Sequence, residues 1–96
     1  MKINEIKRGM SNISLTAKII DISEPRDVLT KYGRRSVADA TLEDETGQVS
    51  LSLWQDQINA VAVGDTVNIT GAYATEFRDK LQLSIPRSGR IQVVEE

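Results

Sequence analysis

Apolar and polar residues alternate along several stretches of the chain, which is the pattern of strands that are buried on one side. The first such stretch has apolar residues at every second position: Ile13, Leu15, Ala17 and Ile19. Ile20 and Ile22 fall in the opposite phase, which predicts a β-bulge or sharp coil in a long first strand. Upstream, Ile3 and Ile6 followed by Gly9 predict a single helical turn that packs against the domain.

The same alternation predicts four further strands, and the residues between them are typical of turns. These strands cover residues 34–42, 48–54, 66–76 and 80–85, with a last extended piece over 90–94. Asp44-Glu45-Thr46-Gly47 closes a hairpin between the second and third strands, and Arg78-Asp79 makes the turn before the fifth. The two-residue period is lost over 55–63, where we expect a short helix or turn. Pro25 and Tyr32-Gly33 predict a long loop between the first two strands.

Five short strands with a helical interruption between the third and fourth predict an all-β fold, a five-stranded Greek-key barrel of the OB type. Five strands alone would also fit an SH3-like barrel, but the break after the third strand favours the OB arrangement. The chain has 96 residues and no internal repeat, so we expect residues 1–96 to form a single domain. OB barrels commonly bind oligonucleotides or oligosaccharides.

The absence of two residue types narrows the possible chemistry. The chain has no cysteine and no histidine, so it lacks thiolate nucleophiles, a zinc ribbon and the commonest acid–base and metal-ligating side chain. No apolar run approaches the roughly 18 residues of a membrane span, and no signal peptide is visible. We therefore expect an intracellular binding domain without metal or cofactor, not an enzyme and not a membrane protein.

The charges are unevenly distributed, although the net charge of the chain is only −2. Four bases in residues 26–35 stand against one acid, and residues 78–90 also hold four bases and one acid, so each segment carries a net charge of +3. Residues 36–77 contain seven acids and no base. In an OB barrel the two basic segments fall in the first-to-second and fourth-to-fifth loops, which frame the binding face.

Two or three of the four aromatic residues fall on one predicted surface. Trp54 lies in the polar phase of its strand, so its indole is expected to point away from the barrel interior. Glycine inside a strand often marks a bulge, and a reversal of phase at Gly71 would turn Tyr73 and Phe77 outward. Without the reversal Tyr73 would join the core; we prefer the reversal because a curved barrel needs such a kink. Exposed aromatic rings give bases a stacking platform that tolerates any sequence.

The sequence resembles the archaeal single-stranded-DNA-binding proteins with one OB-fold and, more distantly, the DNA-binding domains of replication protein A. The similarity extends over nearly the whole chain. It is carried by three stretches: Thr30-Lys31-x-Gly33, Asp44-Glu45-Thr46-Gly47-Gln48-Val49-x-Leu51-x-Leu53-Trp54, and Ala72-Tyr73-x-Thr75-x-Phe77-x-x-x-Leu81-Gln82-Leu83.

The resemblance implies that three barrel-face aromatics stack on DNA bases, and the matching positions are Trp54, Tyr73 and Phe77. Tyr73 stands where close relatives often carry a second tryptophan, so it should stack with less area. Close relatives also carry a flexible C-terminal tail that recruits partners. This chain ends at Val94-Glu95-Glu96, so we expect either a trimmed domain or a different way of recruiting replication and repair proteins.

The sequence thus predicts sequence-tolerant binding of single-stranded DNA, as in the protection of exposed strands during replication and repair. Gln82 is expected to hydrogen-bond a base edge, and Arg26 and Arg87 are secondary candidates for phosphate contacts. The main phosphate-binding candidates are Lys31, Arg34, Arg35, Arg78 and Lys80. Two alternatives stay open at this stage: an RNA-binding module on the same platform, and an OB-fold protein-interaction module of a replication or repair complex.

Overall fold

The computed structural model describes residues 2–77, 79–86 and 88–94, and describes Asp56 and Phe77 by their backbone alone. A 3-10 turn at Ile3–Glu5 precedes seven strands and one short helix. The elements are β1 (Ile13–Ile22), β2 (Arg26–Thr30), β3 (Gly33–Asp44), β4 (Gly47–Trp54), α1 (Asp56–Ala60), β5 (Thr66–Phe77), β6 (Lys80–Ser84) and β7 (Arg90–Val93). No helix in the described ranges is long and apolar enough to cross a membrane.

Five of the strands form a closed ring in the order β1-β3-β4-β6-β5, and pairing of β1 with β5 completes it. All neighbours in the ring are antiparallel except β4 and β6, which run parallel through Ser50–Gln82, Leu51–Leu83 and Ser52–Ser84. The two other strands lie off the ring: β2 pairs with β3, and β7 pairs with β5. This arrangement confirms the predicted five-stranded OB barrel, with α1 between its third and fourth strands.

Aliphatic side chains from the inward phase of the strands fill the barrel. The largest fully buried ones are Ile13, Ile19, Leu42, Leu51, Leu53, Ile69, Leu83 and Val67. Ile3 and Ile6 join the same cluster, so the N-terminal turn packs against the barrel as predicted. Each buried side chain of this size contributes about 1.5–3 kcal/mol relative to an exposed one. The core contains none of the described aromatic rings, which leaves them for the outer surface.

Both predicted irregularities are present. The β1–β3 register shifts between Ile19 and Asp21, which places a bulge at Ile20. The β1–β5 register shifts where β5 passes Gly71, whose φ is +75°. Beyond that glycine the inward phase passes to the alanines at 72 and 74, and Tyr73 faces outward with 39% of its surface exposed.

The segment 26–35 differs from the prediction of a long loop between the first two strands. Residues 26–30 form β2, which pairs with the start of β3 from Arg26–Val37 to Thr30–Gly33. Pro25 precedes the hairpin, so its missing N–H costs no ladder hydrogen bond. The turn lies at Lys31-Tyr32, one residue before the predicted Tyr32-Gly33, and the Thr30 hydroxyl stabilises it by donating to the Gly33 carbonyl at 2.8 Å. The basic segment is therefore a two-stranded arm and not an irregular loop.

Asp44 ties the N-terminal turn to the β3–β4 hairpin. Its Oδ2 accepts a hydrogen bond from the Ile3 N–H at 2.8 Å, and its Oδ1 accepts from the N–H of Thr46 at 2.7 Å and of Gly47 at 3.2 Å. Partial burial acts to raise the pKa of the Asp44 carboxyl, but the bonds from the Thr46 hydroxyl and the three N–H groups outweigh it and lower the pKa from 3.8 to about 2.

Acid is expected to weaken this attachment. Because the pKa of Asp44 is lower in the folded state, its ionised form stabilises the fold above about pH 4, and that contribution is lost as the pH falls from about 4 to about 2. Asp44→Asn should therefore melt at a lower temperature than the parent at neutral pH, and the difference should shrink over that acid range. Thermal melts against pH test this, with Glu43→Gln as a control; a gap that is constant with pH would contradict it.

Candidate nucleic-acid interface

The outward phase of β3, β4, β6 and β5 forms one polar surface on the barrel. The register aligns Asp39, Ser52, Ser84 and Tyr73 in a row across the four strands. Trp54 lies two residues beyond Ser52 on the same side of β4. Trp54 and Tyr73 therefore share this face, as the strand phases predict.

A cleft of about 340 Å³ opens on this face beside Trp54. The β2–β3 arm forms one wall, since Arg26 and Val28 line the cleft. Val37 lies at its base and is only 3% exposed although it is in the outward phase, so the cleft is deep enough to cover an apolar side chain. The Trp54 ring is half-buried and lines the same space. An aromatic ring that borders an open cleft is suited to stacking against a planar ligand.

A polar cluster occupies the floor of the cleft. The Asp39 carboxylate forms an ion pair with Arg26, with 3.1 Å between Nη1 and Oδ2. Gln82 Nε2 donates to the Ser52 hydroxyl and lies 3.5 Å from Asp39 Oδ1. These contacts hold the Gln82 amide over the face at the position where the sequence predicts a contact to a base edge.

The basic residues of the arm are exposed but do not share one side. Val28 lines the cleft and pairs with Arg35, so strand alternation places Arg35 on the cleft side. Arg34 pairs with Leu29 and belongs to the opposite side. Lys31 lies at the turn, with its Nζ 5.1 Å from the centre of the Tyr32 ring. The structure thus places Arg35 on the cleft side of the arm, Arg34 on the opposite side and Lys31 at the tip.

Lys80 marks the other end of the same face. It lines a second cleft of about 320 Å³ together with Thr41, Gln48 and Ser50. Ser50 pairs with Gln82, and Gln82 lines the first cleft, so the two depressions follow each other along β4 and β6. The face therefore offers an elongated track with cations toward both ends. The Phe77 side chain, Arg78 and Arg87 lie outside the described residues, so their predicted roles stay predictions.

Two surface residues are not among the predicted site residues: Asp39 on this face and Tyr32 on the arm. Asp39 lies in the outward phase of its strand, as Ala38 and Ala40 are buried to either side of it, and this phase could have placed it on the surface. The sequence predicts only a turn at Tyr32, whose side chain is 68% exposed at the tip of the arm. Its position depends on the hairpin, which no alternation in the 26–35 segment indicated.

Residues 6–93 match the family model described as single-stranded DNA binding protein Ssb-like, OB fold. The chain belongs to this family. It is 34% identical over 83 residues to the single-stranded DNA binding protein Ssb of Saccharolobus solfataricus, a match that covers 86% of this chain and 56% of that protein. It is 33% identical over 102 residues to replication factor A of Methanothermobacter thermautotrophicus, covering 99% of this chain and 13% of that protein.

Solved structures show the same fold. The OB domain of Ta0387 from Thermoplasma acidophilum superposes with a TM-score of 0.87 at 26% identity, covering all of this chain and 87% of that one. A replication factor A related protein from Methanobacterium thermoautotrophicum gives a TM-score of 0.82 at 21% identity, covering 99% and 90%. This Ssb-like chain spans little more than half of the Saccharolobus relative and about an eighth of the Methanothermobacter one.

Proposed function

We propose that this domain binds single-stranded DNA with little sequence preference and protects exposed strands during replication and repair. One observation carries the proposal: Trp54 and Tyr73 share an open face whose cleft lies beside Trp54 and whose ends carry cations. Family membership supports it, since the family is described by single-stranded DNA binding.

Base stacking supplies most of the affinity in this account. Bases stack on Trp54, Tyr73 and Phe77, and each such contact contributes about 1–3 kcal/mol because every base has a π-face. Trp54 is on β4 and Tyr73 is on β5, and β6 lies between these strands. The two rings would therefore contact different nucleotides. Gln82 then meets the edge of a base bound between them.

Phosphates bind to the cations at the ends of the track. Arg35 on the cleft side of the arm and Lys80 on β6 are exposed along the aromatic face, and Lys31 is exposed at the tip of the arm. Arg78 is a further phosphate-binding candidate from the sequence alone, and Arg34 contributes by longer-range attraction from the far side of the arm. The net charge of −2 is unevenly distributed, since residues 26–35 and residues 78–90 each carry a net charge of +3 and supply the proposed phosphate contacts.

Salt should weaken binding to a defined extent. Contact with three or four phosphates predicts a slope near −2 to −3 in a plot of log affinity against log salt concentration, at about −0.7 per phosphate on single strands. The measurement is fluorescence anisotropy of a labelled oligo-dT over a salt series. Lys80→Gln should make the slope shallower by about 0.7, and Lys18→Gln, on β1 away from the face, should leave it unchanged. A flat salt response would exclude the phosphate contacts.

The same assay separates the proposal from its alternatives. Duplex DNA should compete poorly, because its bases are already stacked and paired. An RNA oligomer of matched sequence tests the RNA-binding alternative, since only RNA offers a 2′-hydroxyl. Tighter binding of RNA than of DNA would show that RNA is the preferred ligand. Failure of all oligonucleotides to bind a folded protein would favour the protein-interaction alternative.

A further inference from the structure

Asp39 is an unexpected residue to find on a face that binds a polyanion. Its side chain is 40% exposed, and within the described part of the chain it is the one carboxylate that lines the cleft beside Trp54. A carboxylate here repels phosphate. A bound strand is therefore more stable when a base, and not a phosphate, lies next to Asp39.

The surroundings of Asp39 leave it able to accept further hydrogen bonds. Arg26 occupies one site on Oδ2 at 3.1 Å, and Gln82 Nε2 approaches Oδ1 only to 3.5 Å. An ionised carboxylate has about four lone-pair sites, so acceptor capacity remains toward the open cleft. Arg26 also compensates the charge, which reduces the free-energy cost of keeping an acid in this position.

A base that stacks against Trp54 lies in the same cleft and turns an edge toward this floor. Cytosine presents an exocyclic amino donor at that edge, and a carboxylate accepts well from cytosine N4. Thymine presents a carbonyl oxygen at the equivalent position, which the carboxylate repels. The two pyrimidines are similar in size, so stacking discriminates between them far less than this hydrogen bond does.

We propose that Asp39 determines base preference in the cleft, favouring bases with an exocyclic amino group, such as cytosine, over thymine. This inference rests on the proposed function and adds a modest preference to otherwise sequence-tolerant binding. Arg26 and Gln82 act as positioning residues, since they hold the carboxylate and the neighbouring amide on the cleft floor.

The test compares oligo-dC and oligo-dT of equal length at mildly alkaline pH, where oligo-dC does not self-associate. Dissociation constants are measured by anisotropy for the parent, Asp39→Asn and Asp27→Asn. Asp27→Asn is the matched control, because it removes the same charge from the opposite side of the arm, where Asp27 accepts a hydrogen bond from Ser36 at 2.8 Å. Thermal melts check that each variant is folded.

We expect the dC-to-dT affinity ratio to fall about fivefold in Asp39→Asn, the lower end of the range for base-edge contacts. Asp27→Asn should keep the ratio of the parent. If Asp39→Asn binds both oligomers more tightly by the same factor, Asp39 acts only through its charge and the inference is wrong. If the parent binds neither oligomer, the proposed function itself fails, and the two failures are thereby distinguished.

Discussion

Trp54→Ala is expected to weaken binding of a single-stranded oligonucleotide by about 5- to 150-fold, which corresponds to about 1–3 kcal/mol for one stacked base. The ring lies in the outward phase of β4 and outside the aliphatic core, so its removal takes away a binding surface and not a core contact. The melting temperature should change little. Labelled oligo-dT is the probe, because the variant has lost the intrinsic fluorophore.

Two control variants sharpen this prediction. Trp54→Phe keeps an aromatic ring and should bind more tightly than Trp54→Ala. Such a recovery is expected if the ring stacks on a base, but not if Trp54 affects binding only through packing. Leu29→Ala removes a side chain that is 85% exposed on the opposite side of the arm, and it should leave binding unchanged. Equal affinity of Trp54→Ala and the parent would remove the stacking role from the account.

Gly71→Ala is expected to cost about 1–3 kcal/mol of folding free energy from backbone strain alone, because its φ of +75° is unfavourable for any residue with a Cβ. A Cβ at this position would also stand 3.1 Å from the Cα of Gly89, so the backbone there would have to shift to accept it. At about 4–8 °C per kcal/mol for a domain of this size, the melting temperature should fall by roughly 4–24 °C.

Gly64→Ala is the matched control for Gly71→Ala. Gly64 also has a positive φ, +98°, but a Cβ there would meet nothing within 4 Å. Strain is therefore common to both variants, and the closer contact belongs to Gly71 alone, so Gly71→Ala should melt at the lower temperature. Similar melting temperatures for the two would show that the approach to Gly89 is unimportant.

Much of the barrel could be predicted from sequence because its strands are buried on one side. In Gly47–Trp54 and Lys80–Ser84 every second residue is apolar. This alternation predicts both where the strand runs and which of its side chains face the core. The bulge at Gly71 could also be predicted from sequence. Beyond this glycine Ala72 is buried and Tyr73 is exposed, which is the reverse of the phase before it. The orientation of Trp54 then followed from its neighbours on β4.

The arm could not be predicted in this way because it has little core to bury. β2 has exposed residues on both sides, with Arg26 on one and Asp27 on the other, so no alternation marks it as a strand. Its pairing with β3 depends on backbone hydrogen bonds and the Thr30 turn. The Arg26–Asp39 ion pair depends in turn on the strand pairing. It joins residues 13 positions apart, so it can be predicted only once the hairpin is known.

The most direct test of the central claim is a titration of the protein with oligo-dT, following the fluorescence of its single tryptophan at low and then moderate salt. We expect strong quenching as bases stack on Trp54, weaker binding at the higher salt, and little competition from duplex DNA. An unchanged spectrum at both salts, in a folded protein that also leaves the anisotropy of labelled oligo-dT unchanged, would contradict it.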